Sequence, residues 1–498
     1  MHRIKRTSVI ASTLLLGLTS LVGLVPVAQA SQRYEANGKD HGPAMTRLDL
    51  GGRGAGPSLF AAPQAQPANP QPTTPECPPE LANRCHLSLA AYVQNNPNDK
   101  SDYGNFDLSN RPTGGLNDLA KTSMAINTIV IHDTEGSLSD TLAAFQNPTF
   151  YASAHYVIDS DGSIYQTVPL KDIAWHAGNW YVNQHSIGIE HVGHAVNGGT
   201  EYTQAMYNSS VLLVRWLSTK YHIPLDRQHI LGHDNVPAPT TGLIAGMHWD
   251  PGTFWNWEYY QNALSMPPVI STGTTGQLIT IAPHWMINQP VVANCPTDTT
   301  CTNLPNQPAN FVYLRSQPVA TAPLLTDPNL PSIGGTTRID DWAARATYGQ
   351  QFAVAARQGD WVGIYYGGQN SDGSAKIGWF ENPYGLLNAW PTKGSYLTPK
   401  AGLASIPVYG RAYPEASAYA GSQVPVQTIA PLNYTIGAGE KYASGGLVPV
   451  DYQWDWTIDA SLPDDHTTII GQDKYYEIQF NHRVAYVKAS DVTSVPVQ

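Results

Sequence analysis

From Ala125 onward the chain settles into a regular succession of apolar and polar positions. Ile126, Ile129 and Ile131 fall in an apolar run that ends at His132, the pattern of a buried strand. Ser137-x-x-Asp140 follows, and a hydroxyl three residues ahead of a carboxylate opens a short helix as a capping box. His155 to Ile158 and Ile164 to Val168 flank Asp159-Ser160-Asp161-Gly162, two strands with hairpin turn residues between them. Ile187 to Val192 reads as a further strand. Between Thr203 and Tyr221, Met206, Val211, Leu213, Val214 and Leu217 recur at helical spacing, and the helix stops before Pro224. Strands interleaved with helices predict an α/β fold over residues 125–265, a mixed β-sheet flanked by helices.

The flanks have other textures. Residues 31–84, dense in Gly, Pro, Ala and Gln from Gly51 to Pro75, cannot bury enough area to offset the entropy of ordering, and read as a linker or propeptide-like segment. Residues 85–124 are polar and are expected to wrap the domain that follows; residues 266–304 read as a linker. Beyond Cys301 come short strand-like runs punctuated by Gly, Pro and Asp, with a weak internal repeat. Val312-Tyr313-Leu314-Arg315 echoes Val408-Tyr409-Gly410-Arg411, Trp361 to Tyr365 echoes Tyr475 to Gln479, and Gly378-Trp379-Phe380 echoes Ala485-Tyr486-Val487. Two small all-β barrels, 305–390 and 400–498, are the expectation.

Composition narrows the function. At roughly 150 residues per domain, 498 residues suffice for two to four compact units. Lys+Arg 27 against Asp+Glu 38 gives a net charge of -11, which excludes the basic field that nucleic acid requires. Arg3, Lys5 and Arg6, the apolar stretch Val9 to Val25 and Ala28-Gln29-Ala30 form a signal peptide, 1–30, with cleavage after Ala30. Gly23 and Pro26 argue against an uncleaved anchor, and no later segment is apolar enough to span a membrane. In an oxidising compartment Cys77 with Cys85 and Cys295 with Cys301 are expected to form two local disulfides. Their spacings do not suit a four-thiolate zinc site.

Ten of the 16 His fall between His132 and His248. His132 closes the first apolar strand, His233 closes Ile230-Leu231-Gly232, and Asp250 lies in His248-Trp249-Asp250-Pro251-Gly252. Two imidazoles and one carboxylate leave an open tetrahedral position, the ligand set of a catalytic zinc site. A closed structural site would need a fourth ligand, which His248 could supply.

Five stretches then carry a resemblance: Ile129-Val130-Ile131-His132; Ser153-Ala154-His155-Tyr156-Val157-Ile158 with Asp161-Gly162; Ala174-Trp175-His176-Ala177-Gly178; Ser186-Ile187-Gly188-Ile189-Glu190; and Gly232-His233-Asp234 followed by Asp250-Pro251-Gly252. In this order they resemble the zinc-dependent N-acetylmuramoyl-L-alanine amidase family, which includes the peptidoglycan recognition proteins. The resemblance implies zinc on His132, His233 and Asp250, the acidic catalytic residue at Glu190, and a substrate-side imidazole at His176. His155 would brace the sheet. Many members carry Lys two residues before the ligand Asp; here His248 stands there, able to support an oxyanion, act as a general acid or add a ligand. The implied reaction is hydrolysis of the amide between the lactyl group of N-acetylmuramic acid and L-alanine of the stem peptide. The rivals are a non-catalytic peptidoglycan-binding protein of the same fold and an enzyme acting on another bond of the envelope. The two C-terminal copies resemble bacterial SH3-like domains, whose Tyr and Trp rings would stack on sugars or dock stem peptides unless they form barrel core. A secreted or wall-associated monomer acting on peptidoglycan or muropeptides is expected.

Overall fold

The computed structural model describes residues 71–96, 98–111, 124–266, 277–297, 300–330 and 334–498. The signal peptide and most of the 31–84 segment lie outside the described residues. Six strands, β1 (Cys85–Leu87), β2 (Thr128–Ile131), β3 (Tyr156–Ile158), β4 (Ile164–Gln166), β5 (Ser186–His191) and β6 (Ile230–Gly232), form one mixed sheet in the order β1-β4-β3-β5-β2-β6. Only the hairpin pair β3 and β4 is antiparallel; the remaining neighbours run parallel.

Period-two alternation decides what each face meets. On β2 and β5, Ile129, Ile131, Ile187 and Ile189 turn toward helices α3 (Gln204–Tyr221) and α4 (Trp257–Leu264), packing with Met206, Leu213 and Leu217. Val130 turns the other way, into a second core that holds Trp180, Tyr181 and Val182 of the short helix α2 (Trp180–His185). Helix α1 (Leu138–Phe145) starts as expected, with the Ser137 hydroxyl accepting from the Asp140 amide. Thr203 caps α3 in the same way, and His222, at φ 55°, ends it in the left-handed region ahead of Pro224.

The flanks are more integrated than their composition suggested. Both disulfides form, Cys77–Cys85 and Cys295–Cys301. Residues 76–84 are docked and are not free linker: the Glu76 amide donates to Gln166 Oε1 at 2.7 Å, and its carboxylate accepts from Leu170 N at 2.9 Å. The wrapping segment contributes β1, which adds a parallel edge strand to β4. Likewise 266–304 is not linker throughout, because β7 (Leu278–Ile281) is an interior strand of the next sheet. Its four consecutive buried residues read as strand only when the partners on both sides are known.

The repeat in the C-terminal half is real at the level of topology. With β8 (Gln351–Gln358), β9 (Trp361–Gln369), β10 (Ala375–Glu381) and β11 (Ala389–Pro391), β7 makes an antiparallel sheet ordered β10-β9-β8-β7-β11. Strands β12 (Gly394–Pro399), β13 (Tyr442–Val448), β14 (Tyr475–Phe480), β15 (Arg483–Lys488) and β16 (Val492–Val497) repeat it as β15-β14-β13-β12-β16. The echoed segments occupy equivalent strands, β9 with β14 and β10 with β15. Many aromatic rings of this half, among them Tyr413, Tyr442, Tyr452 and Tyr475, are buried core, the alternative to sugar stacking that the sequence left open.

The second of these sheets lies against the six-stranded mixed sheet. Trp180, Tyr181 and Val182 share one core with Tyr413, Tyr452 and Tyr486. Hydrogen bonds that cross the junction include Asn179 Nδ2 to Gly410 O at 2.9 Å, Trp180 Nε1 to Gln453 O at 3.2 Å and Tyr181 Oη to Pro449 O at 2.7 Å. No described helix is long and apolar enough to cross a membrane.

Candidate active site

β2 and β6 are neighbours with Ile131 opposite Gly232, so the residues that follow them, His132 and His233, emerge side by side at the carboxyl ends of adjacent strands. The alternation that sends Ile129 and Ile131 to the helices sends His132 to the opposite face, and in β5 it does the same for Glu190. The third component arrives on a loop: the Asp234 amide donates to the Asp250 carbonyl at 2.8 Å, fixing the 248–250 segment beside the strand ends. All of these side chains are buried or nearly so.

His132, His233 and Asp250 each present one ligand atom within 4.8 Å of the other two, and no other such group occurs among the described residues. Asp250 Oδ2 lies 3.1 Å from His132 Nδ1, and its Oδ1 lies 3.1 Å from His233 Nδ1. The second approach lacks hydrogen-bond alignment, so Oδ1 and both ring nitrogens of His233 are buried without a hydrogen-bond partner. Buried polar atoms seldom stay unsatisfied. Three converging donors of the His₂-carboxylate type, two with bare lone pairs, fit a zinc ion with one position open.

The tautomer of His132 follows from its neighbours. Ser186 Oγ donates to Val182 O at 2.7 Å, so toward His176 Nε2, 3.2 Å away, it can only accept. His176 is therefore protonated at Nε2 and accepts at Nδ1, 3.0 Å from His132 Nε2. His132 carries its proton on Nε2, leaving the Nδ1 lone pair directed at Asp250 and the metal position. Burial pushes the His176 imidazolium down and keeps the ring neutral. His176 thus lies behind His132 and does not line the cleft, as its substrate-side expectation had it. Gly188 makes room for it: a Cβ there would sit 2.5 Å from His176 Cγ. His155 braces the sheet as expected, accepting from Gly188 N at 3.1 Å.

Glu190 is no solvent-facing edge charge. It sits on an interior strand, its Oε2 is buried without a partner, and burial, reinforced by the charge of Asp250, pushes its carboxyl well above the usual range. Burial also pushes Asp250 up, but the attraction of His233 outweighs it and holds the group well below the usual carboxylate range. Burial brings His233 down to about 4. His248 lies half-buried on the rim, its Nδ1 3.5 Å from Asp250 Oδ1, and outside the ligand triad.

His132, Glu190, His248 and Asp250 open into one cleft of about 750 Å³, continuous with solvent. Its far wall is apolar, from Phe145, Phe150 and Ala152. Asp133 and Glu135 also line it and were not singled out from sequence, although Asp133 adjoins His132. Asp133 accepts from the Tyr202 hydroxyl and Glu135 from the Ala195 amide at 3.0 Å.

Part of this chain is similar to known proteins. A family model described as N-acetylmuramoyl-L-alanine amidase matches residues 122–253. The chain is 34% identical over 149 residues to N-acetylmuramoyl-L-alanine amidase A of Achromobacter lyticus, covering 28% of this chain and 82% of that protein. It is 33% identical over 120 residues to the 1,6-anhydro-N-acetylmuramyl-L-alanine amidase AmpD of Salmonella typhimurium, covering 23% of this chain and 58% of that one. Among solved structures, AmpDh3 of Pseudomonas aeruginosa is similar at 23% identity and a TM-score of 0.25, over 30% of this chain and 63% of that chain.

Proposed function

We propose, from the premise that this chain belongs to the N-acetylmuramoyl-L-alanine amidase family, that it is a secreted zinc amidase. It would cleave the bond between the lactyl group of N-acetylmuramic acid and L-alanine of the stem peptide. The convergence of His132, His233 and Asp250 on one point beside Glu190 is the observation that carries the reading.

His132 through Nδ1, one ring nitrogen of His233 and the carboxylate of Asp250 would hold the metal. Zinc, when bound, supplies Lewis acidity that activates water and polarises a carbonyl. The protein's residues do the rest. Glu190, buried and facing the same cleft, receives the proton of the attacking water and hands it to the departing amine of L-alanine. His248, on the rim, donates a hydrogen bond to the oxygen that gains charge as the carbonyl becomes tetrahedral. The apolar wall of Phe145 and Phe150 limits water around the scissile bond and so strengthens both interactions.

Export through the signal peptide agrees with the two disulfides, which persist in oxidising compartments. The repeated C-terminal sheets, of SH3-like type in this reading, complete the enzyme. The test is zinc content together with digestion of purified peptidoglycan by the wild type and Glu190→Gln. About one zinc per chain, with new amino-terminal L-alanine produced only by the wild type, is the expected result. Wall binding by both proteins with no new amino terminus would replace the amidase with a recognition protein.

A further inference from the structure

The metal-ligand loops are in contact with a turn that lies far outside the matched family region. Strands β14 and β15 are joined by Asn481 and His482, and Arg483 opens β15 almost fully buried, 4% exposed. One terminal nitrogen of its guanidinium donates to Val236 O at 2.7 Å and His233 O at 3.3 Å; the other donates to His248 O at 2.9 Å. His482 Nε2 lies 2.8 Å from Asp234 Oδ2, and the His482 carbonyl accepts from Asn235 Nδ2 at 3.0 Å. Every one of these partners is within three residues of His233 or two of Asp250.

We infer that Arg483, assisted by His482, is a positioning residue of the hydrolytic site: it ties the loop carrying His233 to the loop carrying Asp250. The inference rests on the zinc reading above. A planar fork of donors can reach carbonyls on two loops at once, whereas an ammonium offers a single point. Burying a guanidinium is costly unless its donors are engaged; both terminal nitrogens of Arg483 are, while Nε has no partner, and the acceptors are the carbonyls of His233, of Val236 three residues on, and of His248 two before Asp250. The equivalent turn of the first sheet, residues 370–374, is exposed to solvent, so the repeat itself does not require such a contact. The second C-terminal sheet is therefore a structural part of the active site, beyond any role as a tether.

Two measurements on the full chain test this. In a chelator-competition titration, Arg483→Gln is expected to raise the zinc dissociation constant about 10- to 100-fold, the usual effect of losing a group that orients metal ligands, and Arg483→Lys to recover part of the loss. Affinity equal to wild type in a folded Arg483→Gln protein would overturn the inference. The second measurement needs no variant. Coupling is reciprocal, so loading the wild type with zinc must slow amide hydrogen exchange in residues 481–486 while leaving β9 unchanged. Unchanged exchange at 481–486 refutes the inference even if the variants do not fold. A wild type that binds no zinc at all refutes the metal reading instead, and the inference with it.

Discussion

The Nε2 of His132 and the Nδ1 of His176 lie 3.0 Å apart, and the Ser186 hydroxyl on the far side of His176 determines which of the two donates. A hydroxyl that never reaches the cleft thereby sets the protonation of His132, a member of the candidate metal triad. Ser186→Ala removes one neutral hydrogen bond worth about 1 kcal/mol. Zinc affinity is expected to fall roughly fivefold in a competition titration, with thermal stability lowered by a comparable amount. An unchanged affinity would mean that the Ser186 hydroxyl does not set the tautomer of His132.

Gly188 is required for a different reason. Since a methyl group there would meet the His176 ring at 2.5 Å, Gly188→Ala must displace either β5 or the imidazole. Overpacking of this kind costs about 1–3 kcal/mol, and the midpoint of urea unfolding should drop accordingly. Gly242, with nothing within 4 Å of its would-be Cβ, serves as the control position.

Glu190→Gln keeps the shape of the residue and removes its capacity to take a proton. The turnover number on muropeptide should fall about 10²- to 10⁴-fold while zinc content stays at the wild-type level. Loss of zinc together with activity would instead make Glu190 part of the metal site.

Zinc should also stabilise the fold. A ligand that binds only the native state adds about 2.7 kcal/mol at a hundredfold excess over its dissociation constant. Chelator treatment is therefore expected to abolish cleavage and lower the melting temperature, with both restored by added zinc. Recovery of the melting temperature without activity would place the loss elsewhere.

Glu477 gives the junction between the two halves a pH dependence. Its carboxyl is pushed up to about 8, first by burial and then by Asp226, with His229 opposing. It lines a small cavity with Thr128, His185 and Tyr486, and its Oε1 has no hydrogen-bond partner. Between the unfolded value near 4.3 and 8 the native state holds a proton that the unfolded chain has released, so stability falls as pH rises through that window. At about 1.4 kcal/mol per unit the loss attributable to this residue amounts to a few kcal/mol. Thermal melts from pH 5 to 8.5 should show the decline, and Glu477→Gln should flatten it.

What sequence could reveal followed the range of the interactions. The strand ending at His132, the capped helix after Ser137 and the hairpin around Asp161 are set by local period and turn chemistry, and all are present. The triad was legible because His132 and His233 close apolar runs that pair as neighbouring strands. The place of His176 was not, because a ring in a loop can turn toward substrate or toward core; the gap left by Gly188 decides it. Nor was β7, whose short apolar run has no meaning until β8 and β11 lie on either side of it. Arg483 was beyond reach altogether, since its partners are 235 to 250 residues away and no local pattern records them.

The same separation bears on when the enzyme becomes active. Arg483 lies more than 200 residues after Asp250 in the chain, and the core that takes in Trp180 and Tyr181 closes only over Tyr413, Tyr452 and Tyr486. During synthesis, His132, His233 and Asp250 therefore emerge long before Arg483, the residue we infer to hold their loops in register. A nascent or truncated chain ending after the helices of the catalytic sheet would present Trp180, Tyr181 and Val182 as a bare apolar surface, inviting aggregation before it could cut any wall.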